Sequence, residues 1–289
     1  MIEVKNLIYE FTPGHRTIND VSFRLSMGSV SALIGANGSG KSTLLECMAG
    51  VRKPTSGSIS ISGKDIYTEP GEFKKMTAYL PDQFGLYENL TVFQILSHQA
   101  DAHFIPKTKK KEQIDLMIEQ LHLQNIINER VIGLSTRVRK RLAIAKVMIH
   151  SPKLVILDDP MTGLDTETRS SLFKWFKELN INEGVTFFFT TYQLGELYDI
   201  SQRLLVLKDG ILVQDISHKQ KEKHVSFVAH NKIEEIPSIL SKFPLVTDIL
   251  THEHMISFSF AGDINEQTEI LSTLITNGVK ISEFTASKN

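Results

Sequence analysis

Along the first eighty positions hydrophobic and polar residues alternate in short runs. Ile59 and Ile61 interleave with Ser58, Ser60 and Ser62, a period of two that predicts a half-exposed strand. MIEVKNLIYEF, NDVSFRL, SVSALIG and MTAYLP read as further short strands, with Asn-Asp and Ser-Gly pairs as turn punctuation. From Thr91 to His150 the spacing becomes helical, in TVFQILSHQADAHF, KKKEQIDLMIEQLHL and RKRLAIAKVMIH. KLVILDD (153–159) and GVTFFFTT are unbroken apolar runs, the pattern of parallel strands buried on both faces. The helical TETRSSLFKWFKEL lies between them, and another helix and RLLVLKDGILVQ follow. Buried strands alternating with helices predict an α/β parallel sheet with crossover helices.

After about residue 220 the pattern changes. HVSFVAH predicts a strand, KIEEIPSILSKF a helix, VTDILTHEHMISFSFAG two strands around a turn, NEQTEILSTLITNG a helix and VKISEFTA a last strand. That order, β-α-β-β-α-β, is the ferredoxin-like arrangement. The expected organisation is a main domain over 1–217 with a helical subdomain at about 85–150, a Lys/Gln/His-rich linker at 218–223, and a small accessory domain at 224–289. The tail carries no phosphate loop and no metal-ligand spacing, so a regulatory or contact role is expected. Its His224, His230, His252 and His254 are scattered over strands and a turn and read as surface histidines.

The 32 Lys+Arg balance 33 Asp+Glu, which argues against a basic nucleic-acid-binding face. The run Lys107–Lys111 reads as the solvated start of a helix, and RVRKR (137–141) as a solvated helix face. A single cysteine, Cys47, excludes an internal disulfide framework and fits a reducing compartment; its place on the apolar side of its segment predicts a buried thiol. No apolar run approaches the roughly 20 residues that span a bilayer, and the N-terminus lacks the pattern of a signal peptide. A cytoplasmic protein is expected, reaching a membrane only through a partner.

The chemistry starts at GANGSGKST, Gly35 to Thr43. Gly35, Gly38, Gly40, Lys41 and Ser42 satisfy G-x-x-x-x-G-K-[ST], between a predicted strand and a predicted helix. Such glycines let successive backbone amides face phosphate oxygens, and the helix start adds the positive end of its dipole. Lys41 is positioned to reach the terminal phosphates, and Ser42 to hold Mg²⁺. A second apolar strand ending in acid completes such a site, and LVILDD supplies it. Asp158 is the expected Mg²⁺ ligand, and Asp159 is expected beside the attacking water.

With these parts in order, residues 1 to about 215 resemble the ATP-binding subunits of ABC transporters. The resemblance rests on GANGSGKST, PTSGSISISGKDI, YLPDQFGLYENLTV, LSTRVRKRLAIAKVMIHSPKLVILDDPMTGLD and TTYQLGELYDISQRLLVLKDG. The tail is similar to a small C-terminal domain of some exporter-type members. The resemblance implies a P-loop nucleotide-binding fold: a RecA-like parallel core, an antiparallel β subdomain and a helical subdomain, with the ferredoxin-like α+β tail. It implies ATP and Mg²⁺, a head-to-tail dimer with a second, identical or different, ATP-binding subunit, transmembrane permease partners, and a place on the inner face of the cell membrane. By position it implies nucleotide contacts from Asn37, Ser39, Thr43, Ser135, Arg137 and Asp165 beside the residues above. Phe11 matches the aromatic that stacks on adenine, with Tyr9 the near alternative. Gln83 is the candidate γ-phosphate sensor and metal neighbour, and Tyr192 occupies the switch position.

Four positions depart from the family pattern. The signature Leu-Ser-Gly-Gly-Gln reads Leu134, Ser135, Thr136, Arg137, Val138, so both glycines that allow close backbone approach are gone. Arg137 offers either a guanidinium to the phosphate or one cation of a solvated face. The carboxylate after the metal-binding Asp is Asp159 where Glu is usual, the switch histidine is Tyr192, and the sensing glutamine aligns with Asp82, Gln83 being one residue late. A base must come within about 2.6–3.2 Å of the proton it takes. ATP binding is therefore expected to be intact and hydrolysis slow, in an energy-coupling subunit for export. The alternatives are a hydrolysis-deficient regulatory subunit of a heterodimeric complex and a soluble ABC ATPase outside transport.

Overall fold

The computed structural model describes residues 1–191, 201–217, 223–243, 246–260 and 264–288. Contacts divide the chain into two units, Met1–Ser217 and His218–Asn289. In the first unit β1 (Ile2–Thr12), β2 (His15–Leu25), β4 (Ser56–Ile61) and β5 (Lys64–Asp65) form an antiparallel sheet ordered β2-β1-β4-β5. The chain reverses between β1 and β2 at Pro13-Gly14. The Asn19-Asp20 pair, expected to mark a turn, lies inside β2 instead. Asp20 is left-handed (φ 55) at an irregular stretch of the ladder, opposite a left-handed Asn6 whose Nδ2 donates to Asp20 Oδ1 at 2.8 Å. Asn and Asp tolerate that conformation, and here it makes a bulge rather than a reversal.

The second sheet holds β3 (Val30–Ile34), β6 (Thr77–Leu80), β7 (Leu154–Leu157), β8 (Thr186–Thr190), β9 (Arg203–Lys208) and β10 (Ile211–Ser217), in the order β10-β9-β3-β8-β7-β6. All pairs are parallel except β10 on β9. The unbroken apolar runs serve two cores at once. Val155, Leu157, Phe187 and Phe189 pack on one face, against α3 (Val92–Ala102), α4 (Lys107–Gln120), α5 (Thr136–Met148) and α6 (Thr166–Glu183). Leu154, Ile156 and Phe188 pack on the other, against α1 (Lys41–Met48) and the antiparallel sheet. Period-two geometry forces this division, and burial on both sides keeps Leu154–Leu157 and the three phenylalanines of β8 apolar. Cys47 is buried, and burial pushes its thiol up to about 12. A short helix, α2 (Pro70–Met76), was not signalled by periodicity; Pro70 opens it, and Phe73 is its buried residue.

The second unit holds β11 (Lys223–Ala229), α7 (Ile236–Leu240), β12 (Val246–His252), β13 (Met255–Phe260), α8 (Ile264–Thr276) and β14 (Ile281–Lys288), an α+β arrangement. Its sheet is ordered β12-β13-β11-β14 with every pair antiparallel, the ferredoxin-like topology. Val225, Phe227, Ile256, Phe258, Phe260, Ile270 and Leu274 form a core of its own. Helix α7 spans only five residues. Residues 218–222, most of the expected linker, lie outside the described residues. Among the described residues no helix is long and apolar enough to cross a membrane.

A candidate nucleotide site at the strand ends

Because β8 lies between β3 and β7, the carboxyl ends of three parallel strands converge, the usual place for a ligand in an open α/β sheet. β3 delivers the loop Gly35–Gly40, β8 delivers Thr190, and β7 delivers Asp158 and Asp159. The loop is shaped by what surrounds it. A Cβ on Gly35 would sit 2.2 Å from the Leu207 carbonyl oxygen, and one on Gly40 (φ 101) would sit 2.7 Å from that of Thr17. Gly38 is left-handed (φ 77) and faces open space. The turn after β9 buttresses the loop: the Gly210 amide donates to the Ser39 carbonyl at 3.0 Å. Asn37 is exposed at the loop tip, whereas Ser39 is buried with its hydroxyl unpartnered. Helix α1 starts with no side chain capping its first-turn amides, unlike α3, α5 and α6, which Thr91, Ser135 and Asp165 cap. An uncapped helix start behind a glycine cradle suits a phosphate group.

Lys41 is buried, and its Nζ donates to the loop's own carbonyls, Gly35 at 2.8 Å and Ala36 at 2.9 Å. Burial lowers its ammonium below the ordinary lysine range, against the charges of Asp158 and Asp159. Ser42 is exposed and Thr43 buried in the first turn of α1. Asp158 is 4% exposed, and its Oδ1 accepts the Thr190 hydroxyl at 2.6 Å; the same hydroxyl oxygen accepts the Asp159 amide at 2.8 Å. Among the described residues no three His, Cys, Asp or Glu side chains gather as a metal site. Mg²⁺ would be held by Ser42 and Asp158 together with phosphate oxygens, a donor set that suits it.

Asp159 departs most from expectation. Its backbone is left-handed (φ 47), and its carboxylate accepts the Thr162 hydroxyl at 2.9 Å. Burial raises its carboxyl above the ordinary range, while the Thr162 hydrogen bond and the charge of Lys140 pull it down. Lys140 corrects the sequence reading. It belongs to the RVRKR run expected on a solvated face, yet it is 5% exposed. Its Nζ donates to the Asp159 carbonyl oxygen at 2.6 Å and lies 5.5 Å from the centre of the Phe84 ring. Its ammonium is lowered by burial, against the attraction of Asp159, Asp82 and Asp158. The signal was present: one helical turn back from Ile144 and Met148, the buried stripe of α5 reaches position 140. Thr190 was also missed, although a hydroxyl at the end of an apolar strand can be read from TFFFTT.

The other expected contacts are more dispersed. Ser135 caps α5, its Oγ accepting the Val138 amide at 3.4 Å. Arg137 Nη1 pairs with Asp165 Oδ2 at 3.3 Å, and Asp165 also caps α6 through the Thr168 amide at 2.9 Å. These two site candidates thus meet each other within one chain. Asp82 and Gln83 are exposed beside Phe84. Phe11 is 57% exposed and meets Tyr9 edge to face, ring centres 5.0 Å apart. Tyr192 lies outside the described residues.

The family model described as ABC transporter matches residues 18–162, half of the chain. The chain belongs to the ABC transporter family. Within it, the chain is an ATP-binding cassette of the P-loop fold. It is 30% identical to the SkfA peptide export ATP-binding protein SkfE of Bacillus subtilis (strain 168), over 78% of this chain and 93% of that protein. It is 26% identical to the uncharacterized ABC transporter ATP-binding protein YxlF of the same organism, over 98% of this chain and 94% of that one, so the match to YxlF extends through the accessory unit. The chain spans only 27% of the length of ABC transporter G family member 20 of Dictyostelium discoideum, to which it is 33% identical over 201 residues. Among solved structures, an ATP-binding subunit of an ABC transporter superposes with a TM-score of 0.70 at 25% identity, covering 75% of this chain and 90% of that one.

Proposed function

We propose that this cassette is the energy-coupling subunit of an exporter-type ABC transporter, one that binds ATP well and hydrolyses it slowly. The carrying observation is the posture of Asp159: left-handed, buried and engaged by its own neighbour Thr162. A carboxylate held in its own loop and one methylene short of glutamate is a poor base for a water on the phosphate side; a misplacement of about 1 Å can cost on the order of 100-fold. Lys41, the loop amides and the start of α1 bind the triphosphate. Ser42 and Asp158 hold Mg²⁺, which when bound neutralises phosphate charge. Phe11 supports the base. ATP binding closes a head-to-tail dimer with a second cassette and hydrolysis reopens it, driving transmembrane partners on the inner face of the cell membrane. The peptide-export name of SkfE supports the direction.

The test is steady-state ATP turnover of the purified chain beside its Asp159→Glu variant, each at saturating ATP. The longer acid is expected to raise turnover by about 10-fold or more, within the range that a 1 Å gain in placement allows. A variant no faster than the parent would refute the slow-site reading. The Arg137–Asp165 pair favours a second reading, a regulatory subunit whose signature loop is occupied within its own chain. That reading requires turnover in the assembled complex to survive loss of Asp159, which Asp159→Asn would decide.

A further inference from the structure

Arg52 stands outside the motifs, in the loop between α1 and β4, yet it joins two parts of the nucleotide site. Its guanidinium carbon lies 5.0 Å from the centre of the Phe11 ring and 5.9 Å from that of Tyr9. Its Nη1 donates to the Tyr9 hydroxyl at 3.3 Å, and its Nε donates to Glu46 Oε2. Glu46 belongs to α1, the helix that begins at the phosphate loop. The backbone of Arg52 is fixed as well: its amide donates to the Glu46 carbonyl at 3.2 Å, and its carbonyl accepts the Tyr67 hydroxyl at 2.6 Å. A planar guanidinium gripped at both ends presents a flat cationic surface with little freedom left to lose.

Phe11 itself is more than half exposed near the end of a long hairpin, with Tyr9 at its edge and Arg52 over one face. An exposed ring on its own would sample several orientations, and a base that stacked on it would have to order it first. We propose that Arg52 is a positioning residue that braces Phe11 against the phosphate-loop helix, so that the base platform and the phosphate cradle move as one body. The proposal rests on the reading of Phe11 as the base platform. Its consequence is selective: Arg52 contributes to the affinity for a nucleotide that has a base and nothing to the affinity for a bare triphosphate chain.

The experiment measures equilibrium binding of ATP and of inorganic tripolyphosphate, both with Mg²⁺, to the full chain and to Phe11→Ala, Arg52→Met and Glu46→Gln. Thermal melting verifies that each variant is folded. Arg52→Met is expected to weaken ATP about 3- to 10-fold, the scale of an exposed-to-desolvated cation–π contact, and to leave tripolyphosphate unchanged. Glu46→Gln, which keeps the cation but loosens its anchor, should show a smaller loss of the same selectivity and carries the test if the arginine variant fails to fold. Full ATP affinity in the Arg52 variant alongside a loss in Phe11→Ala would overturn the brace and leave the platform standing. Equal losses for ATP and tripolyphosphate would also overturn it, because Arg52 would then act through the phosphate loop. No loss in Phe11→Ala would remove the platform and the brace together.

Discussion

Thr190 ties together the two acids at the end of β7, and its replacement by valine isolates that tie. The residue is fully buried at the end of β8, and its hydroxyl both donates to Asp158 Oδ1 at 2.6 Å and accepts the Asp159 amide at 2.8 Å. Valine keeps the shape and removes both bonds. A hydrogen bond to a charged group contributes about 1.5–3 kcal/mol, and a buried amide left without an acceptor costs about 1–3 kcal/mol. The extra apolar methyl offsets roughly 1 kcal/mol of that. The net loss is then about 1.5–5 kcal/mol, which for a unit of this size lowers the melting temperature by roughly 3–20 °C. Serine is the control: it keeps the hydroxyl, forfeits one methyl and costs about 1 kcal/mol. Scanning calorimetry of the nucleotide-free chain compares the two. If Thr190→Val melts with Thr190→Ser rather than well below it, the hydroxyl does not hold the acids at the strand ends.

Two further outcomes follow from buried basic groups. His150 stacks on His103, ring centres 3.8 Å apart and nearly parallel, with its Nδ1 buried and unpartnered and its Nε2 3.3 Å from the Thr77 carbonyl. Burial and the neighbouring His103 push it down to about 4. Its folded value lies below its unfolded one, so the stability it contributes is complete above about 6.5 and is lost as pH falls toward 4. The melting temperature should fall between pH 7 and pH 5, and His150→Gln should flatten part of that fall; a variant that tracks the parent across the range contradicts the burial argument. Lys140→Met strips the Asp159 carbonyl of its donor and the surrounding acids of a cation. It should destabilise by about 2–4 kcal/mol, read as a lower denaturant midpoint, and an unchanged midpoint would mean that the lysine is not committed to that carbonyl.

Much of the fold was written in periodicity. Strands buried on both faces announce themselves through unbroken apolar stretches, as in LVIL and the FFF of β8, and α5 shows its stripe through Ile144 and Met148. The glycine loop was equally plain, since its residue types stand at short fixed spacing; in the fold the space at Gly35 and Gly40 is filled by backbone from Leu207 and Thr17. Where local chemistry has two outlets the sequence is ambiguous. Asn19-Asp20 favours left-handed backbone, and that preference serves a bulge as readily as a turn. A short helix such as α2 has too few turns to establish a period.

The parts of the site that escaped sequence reasoning are those made by distant segments. The hydroxyl that joins Asp158 and Asp159 comes from a strand 32 residues away from Asp158, and the ammonium on the Asp159 carbonyl comes from a helix 19 residues earlier. Local pattern can place the Thr190 hydroxyl at a strand end and Lys140 on the buried stripe of α5, but it names neither partner, and in the second case the charge pattern points the wrong way, because four cations within RVRKR look like a solvated face. What makes the burial of Lys140 tolerable is its company: three aspartates, Asp82, Asp158 and Asp159, lower the cost of bringing a cation indoors. The lysine therefore links α5, at the signature end of the helical lobe, to the turn that sets the posture of Asp159. Any rotation of that lobe must either carry the Asp159 carbonyl with it or break a buried charge-assisted bond. In a cassette whose acid is already held in its own loop, that bond makes the placement of Asp159 a property of the lobe as much as of the strand that bears it.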